Sequence, residues 1–428
     1  MAAGLGTRMR SEVPKHLHPI LGRRMVDWVL DAARALGVDP LVVVAAPSTA
    51  TALDGISVVV QKEPRGTGDA VRCARNALDG AVDDVLVLSG DTPLLTATVL
   101  RELVETHRRE HAVATILSFE PDDPKHYGRV LRTDDDRLAA IVEFRDATEA
   151  QRAVREVNSS IYVFRADRLW PVLDRLTPHN TQGELYLTDS VELLVEDGDR
   201  VAVHKGDDPV ETEGVNTRVE LAAAAGVLRE RINEAHMLAG VTIVDPRTTW
   251  IDAEAVLEPD AVIHPFTVIR GASRVAARAE VGPHAVVVDA TVGERALVGP
   301  FCYLRPGTVL AADAKAGTFV EIKNSNIGER TKVPHLTYLG DADVGADTNI
   351  AAGNITANQE HTRVKERTTI GSNVRTGVDN AFVAPVSIGD DAWIAAGSVI
   401  TEDVPPGALA IARAKQVTKE GRGGKRND

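Results

Sequence analysis

From about residue 241 onward an aliphatic residue returns near every sixth position, and that period leaves few folds open. Val292-Gly293, Val298-Gly299-Pro300, Ile327-Gly328, Val333-Pro334, Leu339-Gly340, Val344-Gly345, Ile350-Ala351, Ile370-Gly371, Ile388-Gly389 and Ile394-Ala395 all follow it. An α-helix repeats every 3.6 residues and a half-buried strand every two, so neither holds a beat of six. Hexapeptide repeats mark a parallel β-helix. Three hexads make one triangular coil, with each aliphatic side chain pointing into the prism and a small neighbour allowing a tight corner. The spacing predicts such a prism over 241–428. Its polar tail from Lys415, with Lys419, Arg422, Lys425 and Arg426, is expected to fray.

The preceding residues follow another grammar. Leu41–Ala46, Val58–Val60 and Val85–Leu88 are short apolar runs rich in β-branched residues, whereas Val26–Leu36 and Asp69–Leu78 show helical spacing. Short buried strands alternating with helices predict an α/β domain over 1–217, Rossmann-like, with a mainly parallel sheet covered on both faces. Residues 218–238 read as one helix closed by Gly240, a linker arm over 218–240.

A chain of 428 residues is long enough for both cores. Its net charge of −14 argues against general nucleic-acid binding, which needs a basic surface. Cys73 and Cys302 stand far apart with no metal-ligand spacing, so buried free thiols in a reducing cytoplasm are expected. No run of about 18 apolar residues predicts a membrane span, and no signal peptide is read ahead of the first motif.

That motif is Ala2-Ala3-Gly4-Leu5-Gly6-Thr7-Arg8-Met9, followed by Pro14-Lys15. Gly4 and Gly6 let the backbone turn and present N–H groups to an anion, while Arg8 and Lys15 add fixed positive charge. The package reads as a cradle for a nucleoside triphosphate. Ser89-Gly90-Asp91 follows an apolar strand, where sites in such sheets form. Asp91 is a natural Mg²⁺ ligand, and Asn216 in Glu213-Gly214-Val215-Asn216 offers a second oxygen. Gln61 can both donate to and accept from a base edge, and Gly66-Thr67-Gly68 is a turn with exposable N–H groups. Gly128, Glu143 and Asn158 suit sugar hydroxyls.

On the prism, Arg305 and Lys323 are 18 residues apart, one full coil, so the two cations should stack on one face. Like charges that close call for an anion, and a sugar phosphate fits. His335 is a candidate base near neutral pH, with Tyr338 and Asn349 as neighbours.

The stretches AAGLGTRM, PKHLHPILG, QKEPRGTGDA, LSGDTPL, YGRV, IVEFRDA, EVNSS, QGELYLTD and EGVN run in order through 1–216. They resemble the sugar nucleotidyltransferases, specifically the uridylyltransferase half of the bifunctional bacterial enzymes that make UDP-N-acetylglucosamine. LRPGTVL, GTFVEIKNSNIG, HLTYLGDADVG, NIAAGNITAN, IAAGSVIT and ALAIARAKQVTKEG resemble the acetyltransferase half of the same family. The resemblance implies that Ala2, Ala3, Gly4, Lys15, Gln61, Gly66, Thr67, Ser89, Gly90, Asp91, Gly128, Glu143, Asn158 and Asn216 contact UTP or the nucleotide sugar. Asp91 and Asn216 would hold Mg²⁺, with Arg8 and Lys15 catalytic. It implies a left-handed prism in which His335 is the base, and Arg305, Lys323, Tyr338 and Asn349 hold glucosamine 1-phosphate. Ala352, Asn358, Gln359, Val378, Ala396 and Arg413 would contact acetyl-CoA, in sites between the subunits of a homotrimer.

The chain departs from the family pattern at several points. Met1 stands where the family has the last residue of its first strand, so a start upstream of Met1 is expected. Asp69 replaces a His, Ser160 a Gly, Asn354 a Thr, Gln359 a Tyr, Val378 a Ser and Arg422 a Trp, and the loop Gln359–Arg367 is one residue longer. Two other readings remain open on sequence alone. One is a sugar-1-phosphate nucleotidyltransferase with an impaired second half. The other is a non-enzymatic scaffold.

Overall fold

A computed structural model of the chain describes every residue except Leu5, Asp54, Asp79, Ala81, Lys125, 360–363 and 423–428. Leu5 of the first glycine loop, part of the Gln359–Arg367 loop, and the tail cations Lys425 and Arg426 thus lie outside the described residues. The chain forms two compact units, Met1–Leu228 and Arg229–Asp428.

The first unit is built on strands β1 (Val42–Ala45), β2 (Ser57–Val60), β3 (Asp84–Val87), β4 (Ala114–Phe119), β5 (Arg129–Arg132), β6 (Leu138–Val142), β7 (Val157–Arg165) and β8 (Val201–Lys205). Its main helices are α1 (Met25–Arg34), α2 (Thr67–Cys73), α3 (Ala97–Arg109), α4 (Ala166–Leu173) and α5 (Leu187–Glu196). The predicted helix over Asp69–Leu78 forms in two pieces, because Ala74 separates α2 from a short turn at Arg75–Leu78.

The predicted mainly parallel sheet is corrected to a mixed one. β1 pairs with β2 and β8 with β4 in parallel, but β7 runs antiparallel to β3, β4 and β5, and β5 antiparallel to β6. All six positions of β4 are buried. A strand covered on both faces reads as a continuous apolar run in either direction, so its sequence cannot report its sense.

Alternation within β1 divides the core between the two faces. Val43 and Ala45 pack with Val26 and Leu30 of α1, while Val44 packs with Ala70 of α2 and Ala74. β1 and β3 do not pair with each other. A cavity of about 540 Å³ lies between them, lined by residues of both strands and of the covering helices. Met1 and Ala2 close one end of it. Ala2 N–H donates to the Val44 carbonyl at 2.7 Å, the Met1 ammonium to the Leu88 carbonyl at 2.7 Å, and Ala2 bridges Ala45 in the parallel sense.

Helix α6 covers Arg218–Leu238. Thr217 and Glu220 cap its start reciprocally: the Glu220 carboxylate accepts from Thr217 N–H at 2.9 Å, and the Thr217 hydroxyl accepts from Glu220 N–H at 3.2 Å. Gly240, at φ +97°, closes it, with Val241 N–H reaching back to the His236 carbonyl.

The second unit is a parallel β-helix. Its strands form three ladders, beginning at Thr242–Ile243, Trp250–Ile251 and Val256–Leu257, in which each strand pairs with its equivalent one coil on. The aliphatic beat fills the prism. Val292, Val298, Ile327, Val333, Leu339, Val344, Ile350, Ile370, Ile388 and Ile394 are all buried in one core. A second, polar column lies inside. Asn380 donates to Asn354 Oδ1 at 3.1 Å, and Asn354 donates to the Ala351 carbonyl at 2.6 Å. The Asn354 departure is thereby satisfied internally. On a corner, Phe266, His284, Phe301 and Phe319 stack ring on ring with centroids 4.7, 4.8 and 5.3 Å apart. Most coils step by 17 or 18 residues, with 20 from Thr242 to Val262 and 16 from Trp393 to Leu409, but Ile355 pairs with Ala381, 26 residues on.

Candidate active sites

Gly6 opens the first site. It holds φ +60°, and a Cβ there would lie 2.5 Å from the Lys15 Cβ. Only glycine lets the loop lie flat against Lys15. Short 3₁₀ turns at Thr7–Met9 and Lys15–Leu17 then aim Arg8 and Lys15 at one point. The Lys15 ammonium ion-pairs with Asp91 and donates to Asn216 Oδ1 at 3.0 Å, and Arg8 donates to the same oxygen at 2.9 Å.

Asp91 is placed by the end of β3. Gly90 N–H donates to the Met1 carbonyl at 2.8 Å, Val215 N–H to the Asp91 carbonyl at 2.8 Å, and the Ser89 hydroxyl to Asp91 Oδ1 at 2.7 Å. Burial works to raise the pKa of the Asp91 carboxyl. The Lys15 ammonium and the Ser89 hydroxyl outweigh it, so the group sits below its ordinary value and is ionised at neutral pH. Asn216 is fixed from behind, its N–H held by Glu220 at 2.7 Å at the start of α6. Two oxygens from remote parts of the chain thus converge on one cation.

The base-side residues form a second group. Gln61 is buried at the end of β2, and its amide nitrogen donates to Asp69 at 2.9 Å and to the Gly66 carbonyl at 3.2 Å. Both amide hydrogens are therefore used within the fold, one of them on the residue that departs from the family pattern. Asp69 also pairs with Arg72 at 2.6 Å. Gly66 has φ +110°, and a Cβ there would meet the Leu185 carbonyl oxygen at 2.5 Å. The Thr67 hydroxyl accepts from Leu187 N–H at 2.9 Å, tying this turn to α5.

The sugar-side residues form a third. Asn158 N–H donates to the Gly128 carbonyl at 2.9 Å, and the Asn158 amide donates to Tyr162 at 2.7 Å. A Cβ on Gly128 would touch Glu143 Oε2 at 3.4 Å. Burial raises the pKa of the Glu143 carboxyl; the Thr188 hydroxyl, 3.3 Å away, opposes this while Asp189 and Asp146 add to it. Ser160 carries φ +62°, a left-handed conformation. That explains why glycine suits this position. Tyr127, next to Gly128, accepts from Gly214 N–H at 2.9 Å and so links the sugar side to the strap bearing Asn216. Ala2 is buried against Gly90, and a Cβ on Gly4 would meet nothing within 4 Å.

Sequence reasoning missed His16. It is buried beside Lys15 with no partner for Nε2, and burial first, then the Met1 ammonium, pushes its pKa down to about 4. It is neutral at working pH. Its signal was only its place in the Lys-His-Leu-His run.

On the prism, Leu304 pairs with Ile322, which sets Arg305 and Lys323 on adjacent coils of one ladder. Arg305 pairs with Glu321 at 2.8 Å. Lys323 meets a cation the sequence reading did not name: the nearby Lys365, from the residues between Ile355 and Ala381, lowers its pKa, with Asp341 opposing. Asn358 donates to Asp341, and Asn324 donates to its other oxygen at 2.6 Å. A Cβ on Gly340 would strike both the Tyr338 hydroxyl and the Asn358 amide, so those two groups flank one spot. Lysines, Tyr338 and Asn358 are therefore neighbours.

His335 is exposed at the end of strand Lys332–His335, opposite Thr318. Asn349 bridges Lys332 of the same strand and Arg375. Further along, Arg413 donates to the Ala396 carbonyl at 2.5 Å, Gly397 N–H to the Val378 carbonyl at 2.8 Å, and Asp379 N–H to the Ala352 carbonyl at 2.9 Å. Ala352, Val378, Ala396 and Arg413 thus form a connected strip, with the Val378 side chain 46% exposed. Gln359 is exposed. Both thiols are free; burial pushes Cys302 up to about 12, whereas Cys73, expected to be buried, is only half-buried.

The MobA-like NTP transferase domain family matches residues 1–161. The bifunctional protein GlmU of Mycobacterium tuberculosis (strain ATCC 25177 / H37Ra) is 48% identical over 444 residues, spanning 97% of this chain and 90% of that protein. The bifunctional protein GlmU of Corynebacterium aurimucosum is 46% identical over 448 residues, spanning 98% of this chain and 92% of that protein.

Proposed function

The chain belongs to the bifunctional GlmU family, and we propose that its two units divide the two reactions of UDP-N-acetylglucosamine synthesis between the sites described above. It is a transferase that moves acetyl from acetyl-CoA to glucosamine 1-phosphate and then uridylyl from UTP to N-acetylglucosamine 1-phosphate. The observation that carries the residue assignment is the convergence of Asp91 and Asn216 oxygens on the Lys15 ammonium.

That convergence also tests the metal. Two hard oxygens gathered around one positive charge fit Mg²⁺, which takes few protein ligands and completes its shell with phosphates and water. Asp91 and Asn216 would hold the ion, which when bound neutralises phosphate charge. Lys15 then turns its ammonium from these oxygens to the triphosphate. Arg8 shares that task, and Gly4 and Gly6 offer their N–H groups to phosphate oxygens. The phosphate oxygen of the sugar bonds to the α-phosphorus while its bond to the β-phosphate bridge breaks, and pyrophosphate leaves. Gln61, Gly66 and Thr67 shape the base pocket, with Ala2 and Ala3 beside it. Gly128, Glu143 and Asn158 bind the sugar.

In the second unit His335 takes the proton as the sugar amine attacks the thioester carbon, and CoA leaves as its thiol. Arg305, Lys323, Tyr338 and Asn349 grip the sugar phosphate, joined by Lys365. Ala352, Asn358, Gln359, Val378, Ala396 and Arg413 line the path for acetyl-CoA. Val378 presents methyl groups where the family has a hydroxyl, so acetyl transfer is the slower half. A homotrimer supplies the walls that a single prism face lacks. The two free thiols fit a cytoplasmic enzyme, and among the described residues no helix is long and apolar enough to cross a membrane.

The test is product analysis. Protein incubated with UTP, acetyl-CoA, Mg²⁺ and glucosamine 1-phosphate is expected to yield UDP-N-acetylglucosamine. Product only from pre-acetylated sugar would leave the second unit without its activity, and no product from either sugar would overturn both assignments.

A further inference from the structure

The amide nitrogen of Gln61 is enclosed by groups of one kind. Nε2 lies 2.9 Å from Asp69 Oδ2 and 3.2 Å from the Gly66 carbonyl oxygen. A carboxylate and a carbonyl accept and have no hydrogen to give, so the amide sits with its nitrogen toward them. Among the described residues none donates to Gln61 Oε1, and that oxygen is the atom left for a ligand.

Asp69 makes the arrangement one-sided. It is the third residue of α2 and is buried, with a separate partner for each oxygen. Arg72, three residues along the same helix, donates to Oδ1 at 2.6 Å, which leaves Oδ2 facing Gln61. A guanidinium only donates, so it holds the carboxylate without competing for the amide. Gly66 is less decisive, since its carbonyl already accepts from Ala70 N–H at 3.1 Å.

We infer that Asp69, anchored by Arg72, holds Gln61 as an acceptor toward the base and so selects a pyrimidine that carries a hydrogen on N3. This rests on the placement of the base at Gln61 proposed above. The uracil of UTP has a single ring N–H, at N3 between two carbonyl oxygens, so an acceptor can meet it only there. Cytosine has nearly the same shape but a lone pair at N3, and in the same pose two lone pairs would face each other. Asp69 acts through Gln61 and is a positioning residue.

Binding of UTP and of CTP to the full chain with Mg²⁺ is measured by calorimetry, and transfer from each to N-acetylglucosamine 1-phosphate as kcat/KM. Wild type is expected to favour UTP by at least roughly tenfold. In Asp69→Asn the Arg72 guanidinium retains the oxygen of the new amide, whose nitrogen then faces Gln61. Gln61 turns its oxygen inward and offers its nitrogen to the base, so the preference should shrink by at least roughly tenfold and move toward CTP. Asp69→Ala leaves Gln61 free to turn either way and should bring the preference near one. A merely structural role for Asp69 would weaken both nucleotides alike in both variants, which would overturn the inference and leave the proposed reaction standing. A wild type that turns over UTP and CTP equally well would overturn it too. Failure of the wild type to bind either nucleotide would overturn it together with the base assignment on which it rests.

Discussion

The Lys15 ammonium lies 3.0 Å from the side-chain oxygen of Asn216, 201 residues further along the chain. Asp91 completes the grip. Asp91→Asn keeps the shape but removes the charge that Lys15 and a divalent cation both need. Uridylyl transfer is expected to fall by roughly 10²–10³, the usual cost of losing one strong electrostatic contact at a reacting phosphate. Acetyl transfer should be unchanged, and steady-state assays of both products check this.

The same carboxylate predicts a pH dependence of stability. Its folded pKa is depressed, so the stability it contributes is present above the unfolded value, about 3.9, and is lost as pH falls through the folded value. The stability difference between wild type and Asp91→Asn should stay level from pH 8 to about 4 and change only below that. Denaturant unfolding across that range measures it.

Asp189 predicts the opposite slope. Burial first, then Glu192 and Asp146, push its carboxyl up to about 6. The folded protein holds this proton more tightly than the unfolded chain, so stability declines as pH rises from about 4 to about 6. Asp189→Asn should remove that decline and raise Tm at pH 7 relative to wild type. Equal Tm values for both proteins at pH 5 and pH 7 would count against it.

Gly66 is held at φ +110° against the Leu185 carbonyl. Gly66→Ala is expected to destabilise the first unit by about 1–3 kcal/mol, since strain and a backbone collision add. It should also weaken nucleotide binding more than it slows acetyl transfer. Thermal melting with and without UTP separates the two effects.

In the second unit, His335→Gln should lower acetyl transfer by roughly 10²–10⁴, the range for losing a positioned base, and leave uridylyl transfer intact. Val378→Ser should raise acetyl transfer. One added neutral hydrogen bond is worth about 1 kcal/mol, or roughly fivefold. An unchanged rate in the serine variant would remove Val378 from the list of causes for a slow second half.

The prism was legible because its period is written in single residues. Each aliphatic of the beat from Val292 to Ile394 is buried in one core. The helix over 218–238 was legible from its pattern and its closing glycine, and it spans Arg218–Leu238. The sense of β7 was not legible, since apolar runs carry no direction. Asp91 and Asn216 stood out as residue types near glycine turns, yet their convergence is set by long-range packing that no local pattern encodes. Gln61 shows the limit most clearly. Its amide was legible as a donor and acceptor, but Asp69 and the Gly66 carbonyl take its hydrogens. Lys365 escaped notice because its loop has no periodicity to align it with Lys323.

Coils of 17 and of 18 residues stack in the same prism, so a corner can absorb one residue and leave the aliphatics of the next face seated inside. A residue lost within a strand has no such outlet, because it turns the side chains after it to the opposite face. Between Ile355 and Ala381 the step is 26 residues, eight or nine beyond one coil, and inheritance can vary that surplus one codon at a time while the ladders on either side stay paired.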